Sequence, residues 1–287
     1  MSKYLLDNIK KLREMTGVGF KDCKNALDET KGDIEKSVEF LRKKGIAKAS
    51  KKMSRTATEG LALVKEENNH ISLIEINSET DFVAKNKDFT NFCKELSEIN
   101  FAIKGNIEKL NDSKMANGIL VKDNLVNLIA KIGEKITIRR TSYFDNSSGV
   151  NFHYVHSALE KGIGKIVSIV KLDGIIKGKN DEIGNKIAMH IAASNPLAID
   201  KDNLDKKIID KELEIIKAEL ANSGKPAEMA EKISKGKISK FINDNSLLNQ
   251  IWIMDSKKKV SDILKENSTN KPLQILNFVR YKVVEEV

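Results

Sequence analysis

The chain predicts an α+β protein with an N-terminal three-helix unit, a two-part α+β core with antiparallel sheets, and a protruding antiparallel helical hairpin. Three observations predict it. Apolar residues recur at helical spacing through the first 45 residues. Two later stretches each pair strand-like runs across a polar turn and then switch to a helical face. Two narrow apolar stripes flank a break that carries Gly224 and Pro226. At 287 residues and 40% hydrophobic content the chain can bury ordinary cores.

The first unit, residues 1–46, is built from three apolar faces. Leu5, Ile9 and Leu12 make one, Phe20, Cys23 and Leu27 the next, and Ile34, Val38 and Leu41 the third. Gly17 and Gly19 separate the first two helices, Gly32-Asp33 supplies a turn and an N-cap, and Gly45 is placed to end the third helix in a left-handed cap. A unit this small is marginal alone. Residues 47–58 read as a basic linker, because no acid stands between Glu39 and Glu59 while Arg42, Lys43, Lys44, Lys48, Lys51, Lys52 and Arg55 accumulate. A solvated or loosely helical connector and an arm that touches nucleic acid are both open readings of that run.

Residues 59–145 form the first core part. Leu61–Val64 and Ile71–Ile76 flank the polar turn Glu66-Glu67-Asn68-Asn69 as a hairpin. Helical faces follow at Phe89, Phe92, Leu96 and Ile99 and at Leu125, Leu128, Ile129 and Ile132, before a strand at Ile136–Ile138. The second part takes residues 146–200 and 245–287. Val150–Val155 and Ile163–Leu172 make a second hairpin, and Ile183, Ile187 and Ile191 a helix that Asn195-Pro196 stops. Between them, residues 201–244 carry Leu204, Ile208, Leu213, Ile216 and Leu220 on one helix and Met229, Ile233, Ile238 and Phe241 on another. That pattern suits a coiled-coil arm or two helices packed on the sheet. The chain then returns to the core with Trp252-Ile253-Met254, a helix around Val260, Ile263 and Leu264, and a last strand at Ile275–Val284.

The formal charge of +9 leaves room for an anionic partner, nucleic acid or acidic protein. Only six of the fifty basic residues are arginine, the usual reader of guanine edges, so no specific nucleic-acid recognition is expected. No apolar run is long enough for a membrane helix, and the N-terminus lacks a signal-peptide layout, which predicts a cytoplasmic protein. Cys23 and Cys93, both on apolar helical faces, read as reduced core thiols. No catalytic or metal site assembles from the residues. His70, His153, His156 and His190 have no zinc-binding spacing, and His190 beside Ile187 and Ile191 reads as structural. Gly162-Ile163-Gly164-Lys165 falls short of a phosphate loop, so no cofactor or nucleotide is expected.

Thr80-Asp81-Phe82-Val83-Ala84-Lys85-Asn86 follows the apolar run Ile71–Ile76 directly, and puts a carboxylate and a large aromatic where the chain leaves a sheet. Spacing alone allows two readings. In one, Thr80 caps a helix, Asp81 favours its dipole and Phe82 enters the core. In the other, Asp81 and Phe82 face outward as a probe for a partner.

This segment resembles the signature of the bacterial elongation factor Ts family, guanine nucleotide exchange factors for elongation factor Tu. Other family-like segments occur in the same order: Leu12-Arg13-Glu14-Met15-Thr16-Gly17-Val18-Gly19, Lys131-Ile132-Gly133-Glu134, His190-Ile191-Ala192-Ala193-Ser194, and Ser223-Gly224-Lys225-Pro226. The resemblance implies that the three-helix unit is ubiquitin-associated-like. It implies that Thr80, Asp81, Phe82, Val83 and Asn86 belong to a segment intruding near the magnesium site of elongation factor Tu. Leu12, Val18, Gly19, Phe20, Ile132 and Gly133 would contact the same G domain, and His156 a second domain. The 201–244 hairpin would serve self-association, as a homodimer or a dimer of heterodimers. Family members often carry two methionines where this chain has Phe20-Lys21, so Lys21 departs from the expected apolar contact. A basic ribosome- or RNA-associated adaptor is the alternative from another class; it accounts for the charge and leaves Thr80–Asn86 unexplained.

Overall fold

A computed structural model describes residues 3–285 except 17, 177, 179, 180 and 222–225. The N-terminal helices are α1 (Lys3–Thr16), α2 (Phe20–Glu29) and α3 (Ile34–Ser50). They close on a small core of Ile9, Leu12, Cys23, Ala26, Leu27 and Leu41. The expected break at Gly17 lies outside the described residues, as does the side chain of Leu5. Asp33 caps α3 as its sequence context predicts, accepting from the Lys36 amide at 3.0 Å. The predicted stop at Gly45 is corrected: α3 continues to Ser50, so the span read as a linker begins as helix. Gly45 instead faces the helix Val121–Ile132, where a Cβ would lie 3.6 Å from Ala130, and Ala49 beyond it is buried in the next core. Packing on both sides overrides the local preference of glycine for a helix end.

The first sheet has the order β3-β2-β1-β5. Its strands are β1 (Glu59–Glu67), β2 (His70–Ser78), β3 (Ile136–Phe144) and β5 (Ile163–Gly164). β1 and β2 turn through Asn68 and Asn69, both at positive φ, which is the two-residue turn that matches strand twist. Alternation then divides β2. Ile74 and Ile76 pack on one face against α5 (Lys87–Ala102) and α7 (Val121–Ile132), with α6 (Ile107–Asp112) alongside. Ile71 and Leu73 point the other way, into a core shared with Val167, Ile169 and Tyr281 of the second sheet.

The second sheet has the order β4-β6-β7, from β4 (Val150–His156), β6 (Ile166–Asp173) and β7 (Gln274–Lys282). The run read as one strand, Ile163–Leu172, is split: Ile163 and Gly164 join the first sheet and the rest the second. Gly164 makes the crossing possible, since a Cβ there would lie 2.6 Å from Val155 Cγ1 and 3.0 Å from the His156 carbonyl oxygen. The outer face of this sheet packs on α8 (Asp181–Ser194) and α11 (Val260–Glu266). The architecture is thus helices, sheet, sheet, helices. Of Trp252-Ile253-Met254 only Trp252 enters the core, with Ile253 and Met254 at the surface. Before α11 come α9 (Lys206–Ala221) and α10 (Ala227–Asn245), which pack on each other and are joined by a Lys237–Glu219 ion pair at 2.6 Å. The expected helix end at Gly224 lies outside the described residues; Pro226 precedes α10.

His190 is structural, as its neighbours predict. It is fully buried, stacks on Trp252, shares a hydrogen bond with Gln250 Oε1 at 3.0 Å and accepts from the Ile253 amide. Burial lowers its pKa against the opposing Gln250 bond, so the folded chain holds it neutral. Stability from this site is therefore complete above the unfolded pKa of about 6.5 and is lost as pH falls below it. Thermal unfolding at pH 7.5 and pH 5.5 checks this: the drop in Tm on acidification should shrink in His190→Gln. Cys23 and Cys93 are free, buried thiols, and burial raises both pKa values.

Candidate functional site

The β2 exit places the site. After Ser78 the chain turns through Glu79 and Thr80 into α4 (Asp81–Ala84), a single helical turn. Thr80 is its N-cap, accepting from the Val83 amide at 3.4 Å, and is itself held from outside the helix. Its amide donates to Glu134 Oε2 at 3.0 Å and its hydroxyl to Glu134 Oε1 at 2.8 Å. Glu134 can reach Thr80 because α7 ends at Gly133, whose left-handed conformation (φ +84°) turns the chain back toward the sheet. At the other end Asn86 caps α5, accepting from the Asp88 amide at 2.8 Å and the Phe89 amide at 3.4 Å. Beneath, Val83 and Ala84 are buried in the first core.

A turn so anchored projects what remains. Phe82 is 80% exposed, the most exposed large hydrophobic side chain among the described residues. The reading of Phe82 as a core residue is thereby excluded, while the reading of Thr80 as a cap holds. Beside it Asp81 pairs with Lys85 at 2.8 Å. That hydrogen bond holds the Asp81 carboxyl below the usual range and lifts the Lys85 ammonium. Lys165, paired with Glu59 at the crossing between the sheets, adds positive potential toward Asp81. The approach to α4 is fixed as well. Glu79 accepts from the Lys135 amide at 2.6 Å and from Arg55 at 3.2 Å, and the Thr58 hydroxyl donates to the Glu79 carbonyl.

The other residues named from the sequence fall in three places. Gly19 and Phe20 are exposed where α2 begins, Phe20 at 41%, and Val18 is half-buried beside them. Ile132 and Gly133 are half-buried at the end of α7, on the loop that carries Glu134 to Thr80. His156 is exposed at the end of β4, its ring next to Tyr154. Two are not at the surface, where direct contact would need them: Leu12 is fully buried in the three-helix core and Val83 is 7% exposed. The sequence reading also left Glu134 without a role. A carboxylate directly after a helix-ending glycine was the signal that could have identified an anchor for a nearby N-terminus.

Among the described residues no cluster of three His, Cys, Asp or Glu side chains is placed to hold a metal ion, and no helix is long and apolar enough to cross a membrane. What the site offers is an exposed aromatic and a carboxylate on a rigid support, a geometry for binding.

Comparison with known proteins agrees on one family. The family model described as "Elongation factor TS" matches residues 79–285, from the anchor of α4 to the end of the described chain. The chain is 42% identical to elongation factor Ts of Methylobacterium nodulans over 284 residues, 97% of this chain and 92% of that protein. It is 40% identical to the same factor from Clostridium kluyveri and 39% identical to that from Zymomonas mobilis, again with 97% and 92% covered. With more than half of its length matched by the family and relatives at this identity along nearly all of it, the chain belongs to the elongation factor Ts family.

Proposed function

We propose that this family member carries out nucleotide exchange in translation elongation by presenting Phe82 and Asp81 to the nucleotide site of elongation factor Tu. The exposed Phe82 on a turn anchored at both ends is the observation that carries the reading. An exchange factor breaks no bond. It binds the partner most tightly when nucleotide is loosened, and by linkage weakens nucleotide by the same factor. Phe82 supplies an apolar anchor, and Asp81, drawn from Lys85, competes for the surroundings of the magnesium ion that neutralises the phosphates. The surface at Val18, Gly19 and Phe20 and the Ile132-Gly133 turn add contacts to the same domain, and His156 a contact to a second one. Release of fluorescent GDP from elongation factor Tu tests the reading: wild-type chain should accelerate it, and Asp81→Ala should give a smaller defect than loss of Phe82, largest when magnesium is limiting.

The ion pairing of the basic run favours this reading over an RNA-associated adaptor. Arg42 pairs with Asp123, Lys43 with Glu39, Lys44 and Lys48 with Asp22, and Arg55 with Glu79. Those charges are paired within the fold, and the Arg42, Lys44 and Lys48 pairs join α3 to α7 and α2.

We read α9 and α10 as an antiparallel arm for self-association. Ile216 and Leu220 are buried, whereas Ile208, Ile215 and Met229 are exposed apolar residues on the same pair of helices. Deleting residues 201–244 should leave a folded chain that still accelerates GDP release and sediments as a smaller species in its complex with elongation factor Tu. An unfolded product would place these helices in the core.

A further inference from the structure

Glu75 is the one acidic residue fully buried among the described residues, on the face of β2 that meets the second sheet. Its Oε1 accepts from Asn77 at 2.9 Å, from Arg139 at 3.0 Å and from the Val284 amide at 2.9 Å, and its Oε2 accepts from Arg140 at 2.6 Å. Burial raises its pKa, but these hydrogen bonds outweigh burial and the carboxyl stays below its ordinary range. Both arginines then reach β7 or the residues just after it. Arg139 donates to the Glu285 carbonyl, and Arg140 donates to the Lys282 carbonyl at 3.2 Å and stacks 4.0 Å from the Tyr281 ring centre. The Tyr281 hydroxyl returns to Ser142 of β3 at 2.6 Å, and Arg280 ties Glu285 to the Ala192 carbonyl at the end of α8.

The position of this knot gives it significance. β2 leaves toward Thr80 and Phe82 just beyond Asn77, and His156 pairs with Ile166, which pairs with Lys282. The Phe82 surface, on the first sheet, and the His156 surface, on the second, therefore emerge at the same end of the sandwich, the end that Glu75 pins. At the opposite end a separate polar cluster joins the sheets, where Asn151 donates to Asn69 and to the Asp145 carbonyl and Lys171 pairs with Asp145.

We infer that Glu75 is a positioning residue, a strut that fixes the two sheets so that the Phe82 and His156 surfaces can engage two domains of one partner at once. A buried ionic cluster adds little net stability over apolar packing, but it admits one arrangement of its members, which suits a strut. Two contacts held at the right spacing act as one bivalent ligand, and losing the spacing loses the gain in effective concentration without losing either contact.

The inference rests on the two-surface reading above, so the first measurement uses no partner. Spin labels are placed at Lys87→Cys on α5 and Asn185→Cys on α8, exposed sites on helices that cover the outer faces of the two sheets. The interspin distance distribution should be narrow in the otherwise wild-type chain and clearly broader in Glu75→Gln, with amide-exchange protection retained within β1–β2 and β4–β6. The second measurement is GDP release against factor concentration. Glu75→Gln should raise the concentration for half-maximal acceleration about tenfold, with the rate at saturation changed less than twofold. An unchanged distance distribution overturns the strut. Broadening with an unchanged half-maximal concentration leaves the strut standing and removes the two-surface reading instead. Should Glu75→Gln fail to fold, Arg139→Gln removes one arm of the knot from a partly exposed side chain and is read in the same two ways.

Discussion

Phe82→Ala is expected to slow GDP release from elongation factor Tu by roughly tenfold or more at sub-saturating factor, because an aromatic anchor at an interface contributes about 2 kcal/mol or more. The free chain should scarcely register the change. At 80% exposure the ring leaves no cavity when truncated, and the turn that carries it is held by Thr80, Val83, Ala84 and Asn86. A core phenylalanine would behave otherwise, losing about 3–5 kcal/mol and a large part of its Tm. Thermal unfolding of the mutant beside stopped-flow release of fluorescent GDP separates the two outcomes.

Glu134→Ala is expected to slow release as well, from a side chain below the contact surface. Both its carboxylate oxygens are taken by Thr80, one by the amide and one by the hydroxyl. Removing them leaves a partly buried donor pair unmet and frees the N-terminus of α4, at a local cost of about 1.5–3 kcal/mol for hydrogen bonds to a charged group. Release at sub-saturating factor should slow about threefold to tenfold, with Tm lowered by only a few degrees. Glu134→Gln, which keeps one acceptor for Thr80, should recover part of the rate. A wild-type rate in Glu134→Ala would show that the order of α4 does not limit exchange.

The features legible in the sequence were those decided within a few residues. The polar stretch Glu66–Asn69 between alternating strands specifies a turn, though Glu66 and Glu67 still pair in β1 and Asn68-Asn69 alone make it, Asp33 specifies its cap, and Thr80 a helix start. What local pattern could not carry was settled by distant packing. Gly45 looks like a helix end and is carried through by contacts to α7 and by Ala49 in the next core. Ile163–Leu172 looks like one strand and is divided between two sheets at a glycine with no room for a Cβ. The site shows the same division. Family-like segments identified Leu12 and Val83 along with Phe82 and Phe20, yet a match in sequence does not separate a residue that meets a partner from one that supports it. Burial shows which side chains are open to a partner: Leu12 and Val83 lie inside, Phe82 and Phe20 outside. Glu75 was hidden for a related reason. In an apolar strand a lone glutamate reads as a surface position, and of its partners only Asn77 is near in sequence, while Arg139, Arg140 and Val284 stand 64 or more residues away.

In the proposed mechanism Phe82 and Asp81 couple binding of the chain to loosening of nucleotide, and a change in affinity measures that coupling. The equilibrium affinity of elongation factor Tu for GDP should be titrated at rising concentrations of the wild-type chain and of Phe82→Ala, at fixed magnesium. Linkage requires that the wild-type chain weaken GDP binding by the same factor by which GDP weakens binding of the chain. Phe82→Ala should reduce this factor about tenfold while remaining as folded as wild type. A native-like Phe82→Ala that weakens GDP as strongly as the wild-type chain would contradict the mechanism.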